Sequence, residues 1–343
     1  MDNVEECINE FLNYFLTVHH EEYSTLFDNL DVFLDLMYYV KDEINDFSTK
    51  YSEIDDFTTM TKMNLFEKVK LINTFYSSHG IIFDFDELID KGIFNPSFVL
   101  TEEDNLQNNA HFAQGMSIVK GDYKSIDVYD NGLLTDAVIW FHETVHYRNQ
   151  IKNSINHVVD LFSEVTAFAE EFIFIDHLEK IGFSKDANFI KAFELKNFRN
   201  IVIDGIYVTK VYLTYITFGK VTKENYNMLF TDEYYEDTLY IFIKEINDNP
   251  TIIFTLIWYT IACILSICMY GSFKKDENYF DTIEKLNLDM EKFDVTGFLN
   301  IMGLTGYDEE SKKKIKDGFD IIKNEIGDYY ENKRVQWVKC NFR

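Results

Sequence analysis

Residues 142–146 read HETVH, two histidines four positions apart with a glutamate directly after the first. On a helix, residues four apart share one face, so His142 and His146 can aim a ring nitrogen each at a single ion. Zinc takes imidazole and carboxylate ligands in a tetrahedron and, in catalytic sites, leaves one position open for water. A glutamate following the first ligand stands beside that water, and Glu143 is the expected general base. The bare motif arises by chance often enough that two metal-free histidines on one helix face remain an alternative reading.

A third ligand is needed. The metzincin pattern would place Gly at 149 and His at 152; the chain has Asn149 and Lys152, which excludes that class. The following segment, DLFSEVTAFAEE, offers Asp160, Glu164, Glu170 and Glu171. Glu164 lies 18 residues beyond His146, enough for a turn and a returning helix, and Ala167 one turn on lets that helix approach closely. Glu164 is the expected ligand, with Asp160 the alternative, since aspartate also ligates zinc.

The elements that must position these groups follow from periodicity. Residues 3–80 read as three helices; in 24–44, for example, Leu26, Leu30, Phe33, Leu34 and Met37 recur at spacings of three and four. From residue 80 short β-like runs appear at 81–85, 97–100, 116–119 and 125–129, the last two joined by KGDYK, a hairpin turn. A helix then opens near LLTDAVIW, with Thr135 as N-cap and Asp136 at its positive end. It carries HETVH and runs to about Lys152, and a second long helix covers about 155–181. Most of the remainder reads as helix, with 206–218 open between helix and strand. The expected fold is mainly α with a small β-sheet (α+β), divided as a helical region 1–80, a metal-binding core 81–182 and a helical subdomain 183–343.

At this point the residues resemble a family. NNAHFAQGMSIVKGD (residues 108–122), then HETVH, then SEVTAF, is similar to the thermolysin-type gluzincins, HExxH zinc metallopeptidases. The resemblance covers about residues 108–171. It implies a zincin-like core in which His142, His146 and Glu164 bind zinc, Glu143 is catalytic, and Asn109 and Ala110, on an edge strand, line the substrate backbone. It also implies a peptide or protein substrate. Thermolysin-like enzymes carry a later histidine that stabilises the oxyanion; here the last histidine is His177, too far along the Glu164 helix to face the metal. Tyrosine serves that role in other gluzincins, and Tyr207, Tyr212, Tyr215 and Tyr226 are open candidates. A zincin scaffold without catalysis, as a structural or interaction protein, is the competing expectation.

Composition bounds the partners. With 32 basic against 59 acidic residues, net charge −27, the surface repels phosphate backbones, and nucleic acid is excluded as a partner. The lysine-rich stretch 311–319 reads as a solvated helix face. Four scattered cysteines without a C-x-x-C pair, and an acidic start without the basic region of a secretory signal, point to a reducing, cytoplasmic setting. Residues 251–271 carry no charge over the length of a membrane span. Their threonines, serine and tyrosines favour a buried core helix over a membrane helix, with Pro250 suited to the first turn.

Overall fold

A computed structural model of the chain describes residues 2–19, 30–50, 60–98, 115–154, 157–231, 234–248, 252–304 and 308–341. In chain order the elements are α1 (Asp2–His19), α2 (Leu30–Lys50), α3 (Leu65–Ser78), α4 (Phe85–Asp90), β1 (Phe94–Phe98), β2 (Gly115–Lys120) and β3 (Tyr123–Asp130). There follow α5 (Leu134–Gln150), α6 (His157–Leu178), a π-helical turn (Glu179–Phe183), α7 (Ser184–Phe218), α8 (Lys223–Leu229) and α9 (Tyr235–Asp248). The chain continues through α10 (Ile252–Lys275), α11 (Tyr279–Asp289), α12 (Val295–Ile301) and α13 (Glu309–Asn341). The fold is mainly helical with a small mixed sheet, in agreement with the α+β expectation. Buried hydrophobic residues from α1 to α13 pack in one cluster.

Local chemistry explains the starts of the elements. Asn64 caps α3 and Glu67 reaches back to the Asn64 N–H, a reciprocal capping box. The run 81–85, expected as strand, forms no strand and enters α4 at Phe85, because the Asp84 side chain accepts the Glu87 N–H and starts a helix there. β1 begins three residues before the strand expected at 97–100 and includes Pro96; a strand at the sheet edge tolerates a residue without an N–H.

The strand order is β1-β3-β2, with β1 parallel and β2 antiparallel to β3. Gly121, at φ +61°, makes the tight β2–β3 turn, so the expected hairpin forms. β3 buries Ile126 and Val128, and α5 lies against β2 and β3.

The joint between sheet and α5 is ionic and dry. Lys68 of α3 is fully buried, with Nζ 2.5 Å from both Asp130 of β3 and Asp136 of α5. Asp136 Oδ2 also accepts the N–H groups of Asn131 and Leu133. Thr135 was the expected N-cap; the cap position is Leu133, and Asp136 satisfies the helix start from inside the first turn. Trp140 donates its indole N–H to the Tyr129 carbonyl at 2.9 Å, pinning the next turn of α5 to β3.

The segment open between helix and strand is the last third of α7. The charge-free segment forms α10, packed on α6, α7 and α13. Buried hydroxyl groups on it find partners within the protein: Thr260 donates to the Ile201 and Leu256 carbonyls, and Tyr270 to Asp176 and Glu325. By length and hydropathy two helical stretches among the described residues, Val159–Phe218 and Leu256–Lys275, would suffice to cross a bilayer. Within the fold 78% of the second one's most apolar window is covered.

Candidate metal centre

α5 and α6 run side by side and supply the three groups expected to hold a metal. His142 and His146 sit one turn apart on α5, and Glu164 faces them from α6. Small and polar residues line the contact: Ala167 and Thr166 are fully buried in it, and Ser163 nearly so. The two Nε2 atoms are 2.9 Å apart. Glu164 Oε2 lies 3.5 Å from His142 Nε2 and 3.3 Å from His146 Nε2. Ligands on a tetrahedral zinc with bonds near 2.1 Å stand about 3.4 Å apart, so this triangle has the size of one face of that tetrahedron. Glu164 Oε2 is buried and lacks a well-formed hydrogen bond, an acceptor aimed into the triangle. Among the described residues, this is the group of histidine, cysteine and acidic side chains with metal-ligand geometry. Asp160, one turn earlier on α6, is not part of it.

The outer nitrogens are held as well. His142 Nδ1 donates to Glu171 Oε2 at 2.9 Å, and His146 Nδ1 bonds Ser163 Oγ at 2.7 Å. With the proton on both Nδ1 atoms, both Nε2 lone pairs face the triangle, the tautomer a metal requires. Glu171 is seven residues after Glu164 on the same face of α6, so one helix presents both a ligand and the group orienting another. Behind it, Glu194 of α7 is buried, and burial together with the Glu171 charge pushes its carboxyl well above the usual range.

Electrostatics follow from this packing. Burial disfavours a charge on His142, but the neighbouring Glu164 and Glu171 carboxylates outweigh it and raise its pKa well above the ordinary histidine value in the metal-free protein. Burial likewise opposes ionisation of Glu164, and the two histidines overcome it, holding the carboxyl well below the usual range. Glu143 shifts the other way: burial raises its pKa, with the histidines opposing. Its carboxylate accepts the Ser117 backbone N–H of β2, while Gln150 Nε2 donates to the Ser117 carbonyl at 3.2 Å. Helix α5 thus grips the outer edge of β2 through both the N–H and the carbonyl of Ser117.

One residue of the site was not anticipated. Tyr259, from α10, bonds the Glu164 carboxylate, and the Glu164 charge followed by burial raises its hydroxyl pKa well above the usual value. Its ring is 6.0 Å from that of Phe168, which lies 4.9 Å from the His142 ring. The tyrosines considered from sequence are engaged elsewhere. Tyr212 packs on Phe242, Tyr215 reaches Asn13, Tyr226 bonds Thr238, and Tyr207 lies by Lys210. The available signal was a tyrosine inside the charge-free run 251–271, which only the packing of α10 against α6 makes relevant.

Arg148 is bound to Glu170 and Glu284 and stacks over Tyr76 at 5.0 Å, so its guanidinium is committed to the helix packing. His177, about 20 Å along α6 from Glu164 at 1.5 Å per residue, packs on Phe75, away from the triangle as expected. Asn109 and Ala110 lie outside the described residues, as do the other residues before β2 in the segment that resembles an edge strand.

Comparison with known proteins returned no matching family, no similar curated protein and no similar solved structure.

Proposed function

We propose that this chain is a zinc-dependent peptidase of the gluzincin type, with a zincin-like core built from the sheet, α5 and α6. The observation that carries this reading is the His142–His146–Glu164 triangle, whose edges of 2.9, 3.3 and 3.5 Å are close to those of one face of a zinc tetrahedron and whose third corner is the buried Glu164 Oε2. The donor set, two neutral imidazoles and one carboxylate, suits zinc. A zinc ion held there would acidify water and polarise a substrate carbonyl.

The chain's own residues supply the rest. Glu143 accepts a proton from water and returns it to the leaving amine, and its raised pKa brings the carboxyl closer to neutral pH, where general bases work best. Ser117 N–H holds the Glu143 carboxylate in place. Tyr259 offers a hydroxyl toward charge developing on the scissile oxygen. Glu171 and Ser163 keep the histidines oriented. The substrate is a peptide or protein chain, and the setting is cytoplasmic; the three described cysteines, Cys7, Cys263 and Cys268, are free.

The test is direct. Purified protein should contain one zinc per chain by elemental analysis and cleave members of a mixed peptide library. Glu143→Gln should keep the zinc and lose cleavage by a factor of about 10² to 10⁴. Cleavage unchanged in Glu143→Gln would overturn the assignment.

A second reading has one observation in its favour: His142, Glu143 and His146 are each only 8% exposed. A structural zinc in a non-catalytic interaction protein would fit such burial. Bound zinc with no cleavage of any peptide by the wild type would select it.

A further inference from the structure

A second site lies far from the metal triangle. α2, α7 and residues Leu229, Phe230, Thr231 and Tyr234 line a cavity of about 310 Å³. Its walls include the rings of Tyr38, Tyr207, Phe230 and Tyr234 and the ammonium groups of Lys41 and Lys210. Lys210 is 16 residues beyond Glu194 on α7, about 24 Å along the helix. The cavity is therefore separate from the peptidase reading and does not depend on it.

The chemistry of the walls is unusual for this chain. The protein is strongly acidic, net −27, yet two lysines line this cavity. Both stand on one ring: Lys210 Nζ is 5.3 Å and Lys41 Nζ 5.9 Å from the Tyr38 centroid. Lys210 is only 2% exposed, and Phe230, at 5.4 Å, and Tyr207, at 5.9 Å, also face its ammonium. Lys41 is partly exposed at the mouth, and among the described residues no carboxylate lies within ion-pair distance of it. Small-molecule pockets are typically cavities of roughly 300–1,000 Å³ with aromatic walls and a few fixed polar groups. This one falls at the small end, room for one ring system and one acidic group.

We propose that this cavity binds a small planar organic anion, an aromatic ring system bearing one carboxylate or phosphate. The acid group lies at Lys41, and the ring stacks against Tyr38 and Tyr207. The ammonium of Lys41 supplies a charge-assisted hydrogen bond, and the tyrosine faces supply stacking area with little conformational entropy to lose.

Calorimetric titration of the full chain tests this with two anionic probes, adenosine 5′-monophosphate and indole-3-acetate. Their neutral counterparts, adenosine and indole, are the controls. At least one anion should bind saturably with a Kd below about 1 mM, and its neutral counterpart at least about tenfold more weakly. Binding by the first alone identifies a phosphate site, by the second alone a carboxylate site. Lys41→Met, at a partly exposed position that leaves the core intact, should weaken the bound anion about tenfold, and Tyr207→Ala should weaken it comparably. The proposal is overturned if neither anion binds at about 5 mM, if the neutral compound binds equally well, or if Lys41→Met, folded by circular dichroism, binds as the wild type does.

Discussion

Gly115, the first residue of β2, and Glu143 of α5 touch so closely that no side chain fits between them. A Cβ at position 115 would lie 2.5 Å from Glu143 Cγ and 2.8 Å from Oε1. The strand therefore sets how far the general-base candidate extends, and the absence of a side chain at 115 is what allows the approach.

Gly115→Ala should push the Glu143 carboxylate out of place without touching a zinc ligand. Misplacement by about 1 Å can cost on the order of 10² in rate. The expected outcome is a fall in kcat of that size with the zinc content unchanged. Steady-state kinetics on a cleaved library peptide, paired with elemental analysis, checks it; a full-rate Gly115→Ala would show that Glu143 is not positioned by this contact.

Tyr259→Phe removes a tyrosine hydroxyl that bonds Glu164. A donor that stabilises developing oxyanion charge contributes about 10² to 10³ in kcat, while a group that only packs contributes little. A fall in kcat with little change in KM is expected, zinc being retained. Tyr226→Phe, far from the site, serves as the control and should cleave normally.

Metal binding should release a proton. In the metal-free protein Glu164 and Glu171 raise the His142 pKa well above its ordinary value, which favours the doubly protonated imidazole. The sign follows from linkage. A histidine with a raised folded pKa contributes stability that is fully present below about pH 6.5 and is lost as pH rises through the folded value. Zinc must displace that proton, so its affinity should rise with pH by about tenfold per unit until the folded value is passed. Calorimetry in buffers of different ionisation enthalpy should count about one proton per zinc at pH 7. Zero would contradict the protonated His142.

Lys68→Met should be strongly destabilising. It leaves Asp130 and Asp136 facing each other in a dry site without their cation. Breaking a buried pair in this way costs about 3–5 kcal/mol. Burial already raises the Asp136 pKa with Lys68 present, so the variant's loss should be smaller at pH 4, where protonation removes the unpaired charges, than at pH 7. Urea unfolding at the two pH values measures both.

The chain itself determined the parts that depend on short spacings. His142 and His146 share a face because a helix repeats every 3.6 residues, and the hairpin forms at Gly121 because glycine accepts its positive φ. The charge-free run of α10 reads as a core helix because it carries threonines, a serine and tyrosines, and 78% of its most apolar window is covered in the fold. Choosing Glu164 over Asp160 rested on 18 residues of separation and the small Ala167, both local facts. Contacts between distant segments depended on the tertiary fold alone. Tyr259 is 95 residues after Glu164, and no periodicity connects them; the packing of α10 on α6 does. Gly115 meets Glu143 only because β2 pairs with β3 and lies on α5. Thr135 looked like the cap, but the buried Lys68, from a helix 68 residues before Asp136, fixes that aspartate at the helix start. Side-chain type and spacing say what a residue can do, and burial with its distant neighbours decides whether it is placed to do it.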